Sequence, residues 1–156
     1  MAEDVPDPAA CAADIDAARE RLIAFVAGCS EEEWRAAPLD GDPRPVGVVV
    51  DHVADAYDYL AGWMRQILAG QQVEVNNDVI DALNAQHARQ AAGVSRADAT
   101  GHLRRSGAAI SELVAGLSAA DLAAGDGRVR RLAWVAARHA DGHRADLETA
   151  LAARGT

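Results

Sequence analysis

Residues 45–60, PVGVVVDHVADAYDYL, can be read as strand or as helix, and the fold class turns on the choice. By propensity alone Val46 to Val50 is a β run. The helical reading starts at Pro45, whose fixed φ and missing N–H suit the opening of a helix. It continues in the period, because Val49, His52, Val53, Ala56, Leu60, Trp63 and Ile67 recur at spacings of three and four before Gly70 stops the pattern. A strand would alternate with period two. The run is therefore a helix, and His52 stands in the middle of its apolar stripe.

The neighbouring segments repeat that grammar. Asp7 and Pro8 open a first helix, with Ile15, Leu22, Phe25 and Val26 as its stripe and Gly28 as its end. Ser30 and Glu33 form a capping box for a short turn through Trp34, closed by Pro38 and followed by a loop from Leu39 to Arg44. After the polar turn Gln71 to Asn77, a helix from Asp78 to Ala92 carries Ile80, Leu83, Asn84 and His87 on one side, and Gly93 breaks it. Ser95 and Asp98 cap the next helix, where Ala99, Leu103, Ser106, Ile110, Leu113 and Leu117 form a heptad-like seam. Ser118 to Asp121 starts a short turn into the Gly125-Asp126-Gly127 loop. The last helix runs from about Arg130 to Ala153, with Leu132, Val135, His139, His143, Leu147 and Leu151 on one face. These elements predict an all-α protein: a four-helix bundle with a long connection that carries an extra short helix between helices two and three.

Composition bounds the rest. The 156 residues suit one domain, 1–156, with enough length to bury a core without a structural metal or disulfide. Half the residues are hydrophobic, yet only 4% are aromatic, which favours close helix packing over sheet. A net charge of −9 argues against nucleic acid and anionic membrane surfaces as partners. Cys11 and Cys29 lie near opposite ends of the first helix, roughly 27 Å apart at about 1.5 Å per residue, too far for a disulfide. The acidic N-terminus lacks the pattern of a signal peptide, and no apolar run is long enough to span a bilayer. A soluble cytoplasmic protein is expected.

Chemistry concentrates in the histidines. His52 on one helix and His139 and His143 on another occupy interior positions where leucines would be expected. A buried imidazole left without partners costs on the order of 1–3 kcal/mol. Residues four apart lie on one helix face, so His139 and His143 can reach one ion at roughly 2.0–2.1 Å, with His52 completing a three-nitrogen cap. Three protein ligands leave a position for water or substrate, the arrangement of a catalytic zinc site. Core histidines satisfied by carbonyls or a buried water are the plain alternative. A zinc-protease helix is excluded, because Ala140 stands where H-E-x-x-H requires its glutamate.

Other polar residues receive plainer expectations. Asp55 and Asp146 each lie three positions beyond a candidate ligand and could orient an imidazole, but a solvated face accounts for both. Asp141 falls on the face opposite the histidines and is expected in solvent. His87 reads as a satisfied boundary histidine, and His102 lies beside its seam with no special role. Arg128, Arg130 and Arg131 crowd a helix start against its dipole, where pairing with nearby acids is expected and an anion site is the alternative.

The runs Val46 to Leu60 and HADGHRADL (139–147), with IDALNAQ (80–86) and the stretch from Ser95 to Leu122, resemble the DinB/YfiT-like superfamily over nearly the whole chain. The resemblance implies a four-helix bundle, a divalent metal on His52, His139 and His143, and a homodimer. Two positions depart from its relatives. Pro45 stands where many members carry tryptophan, and His139 stands where the mycothiol-dependent maleylpyruvate isomerases, which carry a further C-terminal domain, have glutamate. The function implied is a metal-dependent thiol S-transferase or isomerase. A low-molecular-weight thiol such as mycothiol or bacillithiol, or water, would be activated for transfer to a small electrophilic substrate. A non-catalytic metal-binding or stress-associated dimer is the alternative, and a metal-free interaction module is a third reading. Zinc or nickel suits three imidazoles, with iron and manganese left open.

Overall fold

The structure is a computed structural model that describes residues 7–155, and within them the chain forms only helices. They are α1 (Pro8–Gly28), α2 (Glu31–Arg35), α3 (Val46–Leu68), α4 (Asn77–Gln90), α5 (Arg96–Ala115) and α6 (Ala119–Arg154). The caps read from sequence are in place. Asp7 accepts from the Ala10 N–H, Ser30 and Glu33 form a reciprocal box, and Ser95 and Ser118 accept from Asp98 and Asp121. The expected loop inside the last stretch is also there. Gly125, Asp126 and Gly127 adopt φ of 61°, 56° and 80°, so the main length of α6 begins after a sharp break. Asp126 tolerates the left-handed region because a short polar side chain can bond locally there, and Arg131 donates to its carbonyl at 3.2 Å. That is Arg131's observed partner in place of the surface acid expected for it.

The four long helices make the bundle. α1 and α3 lie across from each other, and each packs against both α5 and α6. Ile15, Leu22, Val49, Val50, Val53, Tyr57, Met64, Leu103, Ile110 and Leu147 fill the space between them. No single helix among the described residues is long and apolar enough to cross a membrane.

Two faces differ from expectation. On α6 the buried stripe is Val129, Ala133, Ala136, Ala137, Ala140 and Leu147, whereas Val135 is 38% exposed and Leu132 and Leu151 are half-buried. Alanine lets α6 approach α1 and α3 closely, so the seat is made by its smallest residues and the larger ones are turned to the rim. Asp141 does not stand free in solvent either. Its carboxylate receives the Arg21 Nε at 2.9 Å and Nη2 at 2.6 Å, and Arg144 joins it, tying α6 to α1. On α4 the apolar side is only half-buried, and His87 is its one fully buried residue.

Tyr57 is fully buried and its hydroxyl has no hydrogen-bond partner among the described residues. Burial pushes its pKa up, so the group stays neutral. An unsatisfied buried hydroxyl contributes nothing that its removal would lose. Tyr57→Phe is expected to leave stability unchanged or raise it by about 1 kcal/mol, read from the urea midpoint. A loss of similar size would mean that the hydroxyl is bonded in solution.

Candidate metal centre

His52 lies two turns inside α3, on the side that packs against α6, and His139 and His143 lie one turn apart on α6 facing it. The Nε2 atoms of His52 and His139 are 3.2 Å apart. The ring centroids stand 5.1, 5.1 and 4.6 Å apart, steeply tilted to one another. One nitrogen from each ring falls within 4.8 Å of the other two, and among the described residues no other trio of histidine, cysteine, aspartate or glutamate side chains does so. The predicted constellation is therefore assembled.

Electrostatics make the trio a set of lone pairs. Burial is the largest influence on each ring, reinforced by Arg44 at all three and by neighbouring imidazoles at His52 and His139, while Asp146 and Asp42 oppose it at His143. His52 is pushed down to about 2 and His139 to about 3, and His143 also falls, mainly through burial. Neutral imidazoles are what a metal requires, since no proton competes for the nitrogen. The spacing also fits: two nitrogens 3.2 Å apart and each about 2.0–2.1 Å from one ion subtend an angle of about 100°, close to tetrahedral. Without an ion, two nitrogens at that distance share at most one proton. The residues fit a divalent metal.

One side of the cluster is open. A groove of about 290 Å³ runs along α6, lined by Trp134, Arg138, His139, Gly142, His143 and Asp146 among others. Trp134 is 50% exposed there, and the Arg138 guanidinium lies 4.3 Å from its ring centroid. Neither cysteine joins the site. Both are buried free thiols with pKa values raised chiefly by burial, and the Cys11 thiol donates to the Ala133 carbonyl.

Two neighbouring groups are not legible in the sequence as parts of a site. Arg44, in the loop before α3, lowers the pKa of all three histidines by its charge. Asp42 holds it, accepting from Nε at 3.0 Å and Nη2 at 2.8 Å, while Nη1 is buried without a partner among the described residues. The second group centres on Asp51. Its buried carboxylate takes His87 Nε2 at 2.8 Å and His102 Nδ1 at 2.9 Å, and His102 Nε2 reaches Asp58 at 2.9 Å. His102 thus has a role that its position beside the seam does not suggest. The hydrogen bond to Asp51, aided by Asp58 against the cost of burial, lifts its pKa to about 9, so it is charged near neutrality. Burial would raise Asp51, but His102 and His87 outweigh it and hold the carboxyl at about 2. A usable signal is the spacing of Asp51, Asp55 and Asp58, a carboxylate stripe on one face of α3. Asp55 and Asp146, the two candidates for orienting an imidazole, make no hydrogen bond to the three rings among the described residues.

A family model described as the DinB superfamily matches residues 14–147, a span that contains the three histidines, Arg44 and the Asp51 cluster. No curated protein and no solved structure matches the chain. With the bundle, the break before the last long helix and the histidine trio lying within the matched residues, the chain belongs to the DinB superfamily.

Proposed function

We propose that His52, His139 and His143 hold one divalent metal ion and that the protein is an enzyme of the thiol S-transferase or isomerase type. The observation that carries this reading is the convergence of three neutral ring nitrogens beside an open groove. A bound divalent ion supplies Lewis acidity, which lowers the pKa of a thiol or water in the remaining position. The side chains do the rest. His52, His139 and His143 contribute lone pairs and no charge, so they leave the cation's charge unneutralised. Arg44 adds positive charge, only partly offset by Asp42, and favours an anionic occupant such as a thiolate. The Trp134 ring and Arg138 offer an apolar wall and a cation to the unreactive part of a small electrophile. Mycothiol and bacillithiol represent the thiol class intended, and zinc or nickel suits the donor set.

A second reading, a non-catalytic metal-binding dimer, draws on the exposure of Trp134 and Val135 at the groove. A second copy of the chain covering them would account for that apolar surface.

Elemental analysis of protein purified without an affinity tag tests the metal. About one equivalent of a transition metal is expected in the wild type. His139→Ala should bind it about 100-fold more weakly, the share of one ligand in a typical zinc-site binding energy. Less than a tenth of an equivalent, unchanged in His139→Ala, rejects the site. Cobalt-substituted protein then separates the two readings. A thiolate-to-cobalt absorption band on adding a low-molecular-weight thiol is expected, and silence across a thiol panel leaves the non-catalytic reading.

A further inference from the structure

We propose that His87 is a positioning residue for the histidine trio. Its free Nδ1 receives the Nδ1–H of His52 through one bridging water, and Asp51 fixes the tautomer that makes this possible. The inference rests on the metal reading above.

His52 turns Nε2 toward His139, so as a ligand it carries its proton on Nδ1. That Nδ1 is buried with no partner among the described residues, and His52 as a whole is only 3% exposed. A ligand histidine nearly always donates its second N–H to something, because that bond sets the ring's orientation and basicity. His87 lies on the α4 side with its ring centroid 6.0 Å from that of His52, and its own Nδ1 is likewise buried and unpartnered. One turn earlier on α4, the Asn84 side-chain oxygen is buried and unpartnered too. Three orphaned polar atoms, two on neighbouring rings and one a helical turn away, make a polar place for a water, which typically takes two to four such partners.

The direction of each bond is determined from the far end. His102 faces Asp51 with one ring nitrogen and Asp58 with the other, both at 2.9 Å, so both nitrogens donate. The second oxygen of Asp51 accepts from His87 Nε2 at 2.8 Å. A carboxylate only accepts, so the His87 proton sits on Nε2 and Nδ1 is left as an acceptor. A water that donates its two hydrogens to His87 Nδ1 and to the Asn84 oxygen has only lone pairs left for His52, so His52 Nδ1 is the donor and its Nε2 is free for the ion. His87 is also the one fully buried residue of α4, so the same contact seats that helix on the bundle.

Cobalt affinity, measured by competition with a chromophoric chelator, tests the proposal alongside the stability of the metal-free protein. His87→Leu is expected to weaken cobalt binding about 10- to 100-fold and to alter the ligand-field spectrum. His87→Gln, which can accept from the water and donate to Asp51, is expected to stay within about threefold of the wild type. A merely structural role would lower the stability of both variants and leave the affinity of the folded fraction unchanged, and that result overturns the proposal. If His87→Leu does not fold, Asp51→Asn keeps the shape and removes the charge that holds the proton on His87 Nε2. A loss of about tenfold supports the proposal, and wild-type affinity overturns it. Failure of the wild type to bind cobalt is a different outcome, since it rejects the metal reading and this inference with it.

Discussion

Between pH 6.5 and about 4, the metal-free protein is expected to lose roughly 2–3 kcal/mol of stability per pH unit. The cause is the histidine trio, in which His52 is buried and His139 and His143 are half-buried. His52 and His139 have folded-state values of about 2 and about 3, against an ordinary 6.5. Below pH 6.5 the unfolded chain binds a proton at each ring and the folded chain does not, so falling pH favours unfolding. Each excluded proton contributes about 1.4 kcal/mol per pH unit, and His143 is shifted in the same direction. Asp55, raised by burial, opposes the trend weakly near its own titration. His102 opposes the trend only at the top of this window, being charged throughout in the folded state while the unfolded ring completes its protonation just below pH 6.5. Its contribution is lost on the alkaline side, as pH rises through about 9. Against a total stability of about 5–15 kcal/mol, the acid limb decides whether the apoprotein folds at pH 4. Urea denaturation of chelator-treated protein at pH 6, 5.5 and 5 measures the slope. The double variant His52→Leu and His139→Leu, which removes both partners of the 3.2 Å contact, should flatten it and be at least as stable at pH 7. A wild-type slope below about 1 kcal/mol per unit would mean that the rings titrate as solvated groups.

The residues behind this acid sensitivity stand out in the amino-acid sequence by themselves. His52 interrupts the buried stripe of α3, and His139 and His143 interrupt the bulky stripe of α6 that lies at its rim; a stripe is a local pattern. Capping residues mark the helix starts for the same reason, as Ser30, Ser95 and Ser118 act within three positions of themselves. What local patterns hide depends on how elements meet. Arg44 sits in a loop whose course is set by its ion pair with Asp42 and by the Val46 N–H donating to the Ala36 carbonyl at 2.8 Å. Asp51 and His102 belong to different helices, and nothing local to either announces the other. On α6 the periodicity is correct, but bulk points to the wrong face. Close packing selects the alanines and leaves Val135 at the groove.

Trp34→Ala is expected to destabilise the protein by about 3–5 kcal/mol and to weaken the site as well. Trp34 is 4% exposed, is the only buried residue of α2, and donates Nε1–H to the Val94 carbonyl at 3.0 Å. It therefore links α2 to the turn between α4 and α5. It also rests on the start of α3, where a Cβ at Gly47 would come within 2.7–2.9 Å of the indole ring. A side chain there has nowhere to go, because the neighbour is a rigid ring, so Gly47→Ala is expected to cost about 1–3 kcal/mol by overpacking. Trp34→Phe keeps much of the bulk but leaves the Val94 carbonyl without its donor, a loss of about 1–3 kcal/mol. The ordering Ala worst, then Phe, separates packing from hydrogen bonding in denaturation experiments. The consequence for the site runs through residues 36–45, which Trp34 pins at one end and which carry Arg44 toward the histidines. With that anchor gone, Arg44 loses its fixed place, and the thiol affinity of the cobalt protein should fall at pH 7 while cobalt content stays at one equivalent. Equal loss of both would assign Trp34 to the bundle alone, and unchanged thiol affinity would mean that the Asp42 pair holds Arg44 without help from the indole.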